Sequence, residues 1–341
     1  MSHAFRNFHL RSKKYCRVTC AFLLLILVST SAFSQRHFTS ALQFNETVPA
    51  DLLSTRSVVL SDYTFRQAEL EEVQKAFQQI GIDAIAYFDA DLIFSGKDVI
   101  KAYKEYFTSR QVTNLIFLEK SQSVYQIVGV KFNPDRDLFD PALPAWRLKN
   151  ERLRDLLRTV LQDSWRSQKK QNYLVNEYPE RDLRVDPIKG NRQEFYAIDL
   201  KVDNLAVPKF GNAAMDEELA KFFQDNYSLK YKLTEPGANE QDLRKQGFQY
   251  VLCYVNTRGK AAREVLGYDM TKEGNSYASI TFPEGQLQLK TIPGETEVYK
   301  FYFRHIDNGN VFLGTKWDAD ITWLDALRNH VLGFKAEARI P

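Results

Sequence analysis

The chain has 341 residues, of which 44% are hydrophobic and 26% charged, and its formal net charge is +3. This composition is typical of a globular protein with a sizeable core, and it excludes collagen-like and disordered chains. The Gly-Lys pairs at 96–97 and 259–260 lack the other residues of a phosphate-binding loop, and no nucleophile elbow or zinc-protease motif occurs. The sequence therefore indicates no cofactor and fixes no reaction.

Residues 1–34 have the layout of a secretory signal peptide. A basic stretch is followed by the apolar run 21–28 and by a small-x-small site at 32–34, which predicts cleavage between Ser34 and Gln35. The apolar run is much shorter than the roughly 20 residues of a membrane-spanning helix. An uncleaved anchor is the alternative, but we favour export to the periplasm or cell envelope, with no stable membrane span after cleavage.

Most of the apparent basicity belongs to this leader. It contains five of the 46 basic side chains and none of the 43 acidic ones, so residues 35–341 carry a formal charge of −2. Nucleic-acid binding needs a net or clustered excess of Lys and Arg. Because the mature chain has no net excess, we do not predict nucleic acid as a partner. Cys16 and Cys20 also lie in the leader, so Cys253 remains alone and is expected to be a buried apolar side chain.

The periodicity of apolar residues predicts the elements of the first half in chain order. Strands are expected at 58–60, 83–88, 112–118 and 124–132, and helices at 70–80, 97–109 and 153–165. Gly81 is expected to end the first helix. In the last helix, Leu161 and Trp165 continue an apolar stripe and are expected to pack inward.

The second half repeats this order. Strands are expected at 205–207, 228–234, 248–255 and 263–268, and helices at 215–226, 240–246 and 321–336. The chain is therefore predicted to have an α+β fold with two related domains, each a mixed sheet with helices packed on it. The predicted domains are 35–172 and 193–341, and residues 173–192 are the predicted linker between them.

Two resemblances accompany these patterns. The element order of each half resembles that of small envelope domains such as the amino-terminal domain of the Tol-Pal translocation protein and the curli-secretion lipoproteins. The stretch 311–320, Val-Phe-Leu-Gly-Thr-Lys-Trp-Asp-Ala-Asp, resembles a group of uncharacterised exported bacterial proteins. The first resemblance implies only a fold and the second only export, because fold-level likeness does not specify an activity.

Asp89 and Asp91, with Asp98 beyond a turn, are candidate ligands of a hard cation, because residues two apart on a strand point the same way. The alternative, which we favour, is that the first two are solvated and that Asp98 occupies the first turn of a helix. Arg258 and Lys260 form a basic turn that is a candidate grip for an anion.

A second cluster of candidate metal ligands lies near the carboxyl terminus. Its members are His305, Asp307, Asp318, Asp320 and His330. Imidazoles and carboxylates together suit a transition metal. Each residue also has an ordinary interpretation, since Asp307 lies in an Asp-Asn-Gly-Asn hairpin signal, Asp320 is placed to cap the last helix and His330 lies on a flank of that helix.

The strand before that hairpin signal is dense in aromatic residues. Phe301 and Phe303 are expected on one face and Tyr302 on the other, which predicts an interior hairpin. With no coherent catalytic constellation, the favoured hypothesis is a non-enzymatic interaction or scaffold protein of the envelope whose partner is another envelope protein. The alternative is an exported metal-dependent hydrolase that uses the carboxy-terminal cluster.

Overall fold

The computed structural model describes residues 38–121, 123–167, 172–181, 183–271 and 274–340. All of them belong to one compact unit, His37–Pro341. The predicted signal peptide, with its cleavage site at Ser34 and Gln35, lies outside the described residues. The fold is α+β, as predicted, and contains two six-stranded mixed sheets.

The first sheet is formed by strands between residues 44 and 150, and helices lie between several of these strands in the chain. Its strands are β1 (Phe44–Asn45), β2 (Arg56–Ser61), β3 (Asp83–Asp89), β4 (Val112–Ser121), β5 (Val124–Lys131) and β6 (Ala145–Asn150). They lie in the order β1-β6-β5-β4-β2-β3. Strand β2 is parallel to β3 and β4, whereas β5 is antiparallel to β4 and β6. Its central strands are covered on both faces, which explains their nearly continuous apolar sequences.

Helices cover both faces of this sheet. They are α1 (Gln67–Ile80), α2 (Ala90–Ile93), α3 (Lys97–Ser109) and α4 (Leu153–Ser167). Helices α1 and α4 pack on the face that carries Val59 and Ile116, and α3 packs on the opposite face with Val58 and Phe117. Helix α1 ends as predicted at Gly81, whose φ of 94° is a left-handed conformation that glycine adopts without strain.

The second sheet has the same strand order and the same strand directions as the first. Its strands are β7 (Arg192–Gln193), β8 (Leu205–Pro208), β9 (Tyr231–Thr234), β10 (Tyr250–Arg258), β13 (Glu297–His305) and β14 (Val311–Phe312). They lie in the order β7-β14-β13-β10-β8-β9. Strand β8 is parallel to β9 and β10, and β13 is antiparallel to β10 and β14, so each strand has a counterpart in the first sheet.

The helices of the second half are α5 (Ala213–Asn226), α6 (Glu240–Lys245), α7 (Gly259–Val265) and α8 (Trp323–Ala338). The strand predicted at 263–268 is wrong, because Ala261, Ala262 and Val265 are buried at helical spacing and belong to α7. Helix α7 and the hairpin of β11 (Ser276–Thr281) and β12 (Gln288–Pro293) lie between β10 and β13, where the first half has only a tight connection.

The two halves share one hydrophobic cluster. Val58 and Phe117 of the first sheet belong to the same cluster as Val298 and Tyr302 of the second. Helices α3 and α7 contribute to this cluster as well, so apolar side chains fill the space between the two sheets. The predicted domains 35–172 and 193–341 therefore each contain one sheet but are packed together within one unit.

The first part of the predicted linker is bound to the first half of the chain. The backbone of Glu180 forms hydrogen bonds of 2.8 Å with Tyr87 and 3.0 Å with Ile85, and Gln74 donates to the carbonyl of Asn176 at 2.8 Å. This segment covers the outer edge of β3 and satisfies backbone groups that an edge strand would otherwise expose. In the described part of the chain, β9 pairs with β8 alone.

Helix α4 differs from its prediction at one end. Leu153, Leu156, Leu157 and Val160 are buried, but Leu161 is only half-buried and Trp165 is 61% exposed. The placement of Trp165 on the inner face is therefore wrong. The fully buried apolar residues of α4 end at Val160, although the small Ser164 further along the helix is also buried.

The aromatic strand is an interior strand, as predicted. β13 lies between β10 and β14, and Phe301, Tyr302 and Phe303 are all buried. The hairpin is looser than its sequence suggests, because Phe303 pairs with Phe312 and the amide of His305 donates to the carbonyl of Asn310 at 2.9 Å. The turn thus spans residues 306–309.

Candidate functional site

The two charged motifs that the sequence suggested separately meet at the carboxyl end of β3. Asp89 ends β3, Asp91 lies in α2, and Arg258 ends β10 of the other sheet. The Nε of Arg258 donates to Oδ2 of Asp91 at 2.6 Å, and its Nη2 donates to Asp89. Asp91 is buried, so the expectation that both carboxylates are solvated is wrong.

Further contacts fix the guanidinium of Arg258. Its Nη1 lies 2.5 Å from Glu295, and its central carbon lies 4.1 Å from the ring centroid of Tyr63. Thr257, the preceding residue, donates from its hydroxyl to the carbonyl of Asp91 at 2.8 Å. The guanidinium of Arg258 therefore occupies the position between the two aspartates where a cation was predicted to bind. Because Arg258 is already paired with these carboxylates, it is not available to bind an anion.

Burial changes the acidity of the carboxyls beside this arginine. Desolvation raises the pKa of Asp89 to about 6, against the opposing effect of Arg258. Desolvation also raises the pKa of Asp62, which directly follows β2 and whose Oδ2 is buried without a hydrogen-bond partner among the described residues. These carboxyls line a cleft of about 360 Å³ at the carboxyl ends of β2 and β3.

Asp98, the third member of the acidic motif, lies elsewhere. Its carboxylate accepts a hydrogen bond of 3.0 Å from the Tyr302 hydroxyl and forms an ion pair of 2.5 Å with Arg304. The position in the first turn of α3 is as predicted. Within the ranges that the structure describes, no group of three or more His, Cys, Asp or Glu side chains is arranged to hold a metal ion.

The structure brings together two of the five carboxy-terminal candidates, Asp318 and His330. Oδ2 of Asp318 lies 2.9 Å from Nδ1 of His330, and its Oδ1 lies 2.6 Å from the ammonium of Lys300. All three side chains are fully buried. The Tyr196 hydroxyl donates to the same aspartate at 3.3 Å, and Lys300 also donates to the carbonyl of Leu313 at 2.6 Å.

The buried environment sets the charges of this cluster. Desolvation, followed by the nearby Lys300, lowers the pKa of His330 to about 4, so the imidazole is neutral near pH 7. Because a carboxylate only accepts, Nδ1 of His330 carries the proton, and its Nε2 has no hydrogen-bond partner among the described residues. Desolvation also lowers the pKa of Lys300, whereas the pKa of Asp318 is lowered because its two basic neighbours outweigh its desolvation. The cluster is an ion pair with a neutral histidine donor.

The other three candidates have separate partners. Asp307 lies in the hairpin turn and accepts from Nε of Arg244 at 2.8 Å, while His305 lies at the end of β13 with its ring against Tyr250. Asp320 pairs with Lys290. The expectation that Asp320 caps the last helix is wrong, because Thr322 is the residue whose side chain accepts from the first turn of α8. His330 is likewise in the core rather than on a helix flank.

Sequence reasoning missed Lys300 as a member of the buried cluster. It stands between Tyr299 and Phe301 in a strand that is otherwise almost apolar, at a position whose neighbours two residues on either side are buried. A lysine in an otherwise apolar strand requires a counter-ion. Its presence in this strand could therefore have indicated a buried ion pair from the sequence. Cys253, expected to be buried, is half-buried and forms no disulfide within the described part of the chain, and burial raises the pKa of its thiol.

No protein-family model matches this chain, and no curated protein shows significant similarity to it. Among the residues that the structure describes, no helix combines the length and the apolar character that crossing a membrane requires.

Proposed function

We propose that this protein is exported to the cell envelope and acts there as a non-enzymatic interaction or scaffold module. The observation that carries the proposal is that the charged groups suited to chemistry are bonded to one another. Arg258 forms ion pairs with Asp89 and Asp91. In the core, Asp318 forms an ion pair with Lys300 and a hydrogen bond with His330. Acid–base and nucleophilic catalysts must instead reach a substrate, so these clusters favour a structural role.

A groove beside α1 supports the proposed role as an interaction module. It encloses about 780 Å³ between α1 and the segment that follows α4, and three aromatic side chains line it. Trp165 is 61% exposed, Tyr178 87% and Tyr173 fully exposed. Exposed aromatic side chains in a cluster are typical of protein-binding surfaces, where they serve as anchors. We therefore place the contact with a partner envelope protein at this aromatic groove.

Site-specific cross-linking in the native host tests this placement. A photoreactive amino acid at Tyr173 should give one discrete product with another envelope protein, and Trp165→Ser together with Tyr178→Ser should abolish it. Leu289, which is 74% exposed on the β11–β12 hairpin, is the matched control position and should give no such product. The same product from both positions, or none from Tyr173, would contradict an interaction surface at the groove.

Export has its own test. Amino-terminal sequencing of the protein from the envelope fraction should begin at Gln35, because cleavage is expected after the small residues 32–34. A chain that retains Met1 in that fraction would indicate a membrane anchor instead.

Metal analysis separates the proposal from the hydrolase alternative. The protein purified without chelators should carry no stoichiometric transition metal. A bound metal that is lost in His305→Ala, a change at a half-buried position at the end of β13, would favour the hydrolase and overturn the non-enzymatic proposal.

A further inference from the structure

A cleft opens in the second sheet where β8 and β10 separate. These strands pair at only two positions, Leu205 with Tyr250 and Ala206 with Val251, whereas their counterparts β2 and β4 pair at six. Strand β8 ends at Pro208, and β10 continues past it. We call the resulting space the junction cleft, because α3 of the first half also lines it.

The connections around the junction cleft leave the sheet on opposite sides. Leu219 of α5 belongs to the cluster on one face, and Leu243 of α6 belongs to the cluster on the other. In sheets of this kind, ligands bind outside the carboxyl ends of parallel strands at the point where successive connections run to opposite faces. The junction cleft occupies that point.

The wall of the junction cleft is mainly apolar. Its volume is about 260 Å³, and Phe210, Leu219, Leu243 and Phe301 line it together with the Cys253 side chain. A space of this size suits a compact ligand of about ten non-hydrogen atoms. The apolar lining requires that most of those atoms be carbon.

The polar groups of the junction cleft are mainly donors. Lys97 and Lys101, both exposed on the first turns of α3, have no ion-pair partner among the described residues. Arg304 binds Asp98 and Glu240 through its terminal nitrogens, but its Nε is buried and has no acceptor in the described part of the chain. An unpaired buried donor is costly, and an acceptor on a ligand would satisfy it.

We propose that the junction cleft binds a small organic carboxylate, with its apolar body against Phe210, Leu243 and Phe301 and its carboxylate held by Lys97, Lys101 and the Nε of Arg304. The donors select an anionic acceptor, and the apolar wall selects the hydrocarbon part. This inference is independent of the aromatic groove, since the two sites share no lining residue.

Calorimetry on the full chain purified from its native host tests the ligand class. Octanoate and 3-phenylpropanoate should bind with a dissociation constant of about 1 mM or tighter, and octanol and octylamine should bind at least about tenfold more weakly. Lys97→Gln with Lys101→Gln should weaken octanoate binding about tenfold, because both charges are lost. Lys221→Gln, on the exposed side of α5 away from the cleft, should leave it unchanged. No binding of either carboxylate, or preference for the amine, would overturn the proposal.

Thiol protection tests the location. Octanoate should slow the reaction of Cys253 with a small neutral thiol reagent, whereas the amine should not. Ala238→Phe, which places a ring at the cleft from the loop after β9, should abolish binding while the thermal unfolding midpoint stays near that of the parent chain. Calorimetric binding that survives Ala238→Phe and leaves Cys253 unprotected would place the carboxylate elsewhere and overturn the assignment.

Discussion

The Cα of Gly96 faces the carbonyl oxygen of Tyr254 so closely that a Cβ atom at position 96 would lie 3.0 Å from it. The same Cβ would lie 3.6 Å from Cγ1 of Val255. Beside this contact, the amide of Asn256 donates to the carbonyl of Ser95 at 2.7 Å. The segment that leads into α3 thus packs closely against β10 of the other half, and a side chain at position 96 would require the two backbones to move apart slightly.

We therefore expect Gly96→Ala to destabilise the protein by about 1–3 kcal/mol, the usual cost of overpacking a close contact. Gly274→Ala, where the nearest atom would be an ordinary 3.4 Å away, is the matched control, because both changes reduce the flexibility of the unfolded chain equally. Urea denaturation gives both free energies of unfolding. Equal values for the two variants would mean that the two halves are not in close contact at this position.

Arg258 holds the halves together by charge. Arg258→Ala should cost about 3–5 kcal/mol, because it leaves Asp89 and Asp91 at a largely buried site without their counter-ion. Arg158→Ala, which removes an exposed ion pair with Asp155 on α4, should stay within about 0.5 kcal/mol. Chemical denaturation measures both. A loss below about 1 kcal/mol for Arg258→Ala would contradict a structural role for this ion-pair cluster.

Because of Glu69, we expect the free energy of unfolding to decrease at acidic pH. Its buried carboxylate accepts from Tyr125 at 2.6 Å, from the backbone of Arg66 at 2.9 Å and from Lys120 at 3.0 Å, and these bonds outweigh its desolvation and lower its pKa to about 2. A carboxyl with a lowered folded pKa contributes stability that is present above its unfolded pKa and is lost as pH falls through the folded value.

Glu69→Gln should accordingly cost about 2–3 kcal/mol at pH 7, and the difference from the parent chain should shrink as pH falls from about 4.5 to 2. Denaturation curves at several pH values measure it. The exposed Glu71→Gln on the same helix is the control and should show no such pH dependence. A difference that stays constant over this pH range would show that the carboxylate is not stabilised as described.

The sequence predicts elements well where periodicity is local. The helix expected at 97–109 is α3, and the strand expected at 112–118 lies within β4, because each has an apolar pattern of one clear period. The short run 263–268 is compatible with the apolar period of a helix or of a strand. Its helical structure depends on the contacts of Ala262 and Val265 with the hydrophobic cluster that the two halves share. Boundaries set by distant partners, such as the exposed end of α4 at Trp165, have no local signal.

The candidate sites were harder to predict for a related reason. Asp89 and Arg258 are 169 residues apart in the chain, and each by itself has the character of a surface residue. Their meeting depends on how two sheets pack, which neither segment encodes alone. The sequence shows which acidic and basic residues are present. It does not show which of them form ion pairs with one another.

The fully buried pair of Lys300 and Asp318 allows a prediction in which a second change repairs a first. Lys300→Met should destabilise by about 3–5 kcal/mol, because it leaves a carboxylate in the core with only neutral donors, the His330 imidazole and the Tyr196 hydroxyl. Adding Asp318→Asn removes that unpaired charge and keeps a polar group beside His330. We therefore expect the double variant to be at least about 1 kcal/mol more stable than Lys300→Met. Denaturation of the two single variants and the double variant measures this coupling, and strictly additive losses would mean that the ammonium and the carboxylate do not neutralise each other in the folded protein.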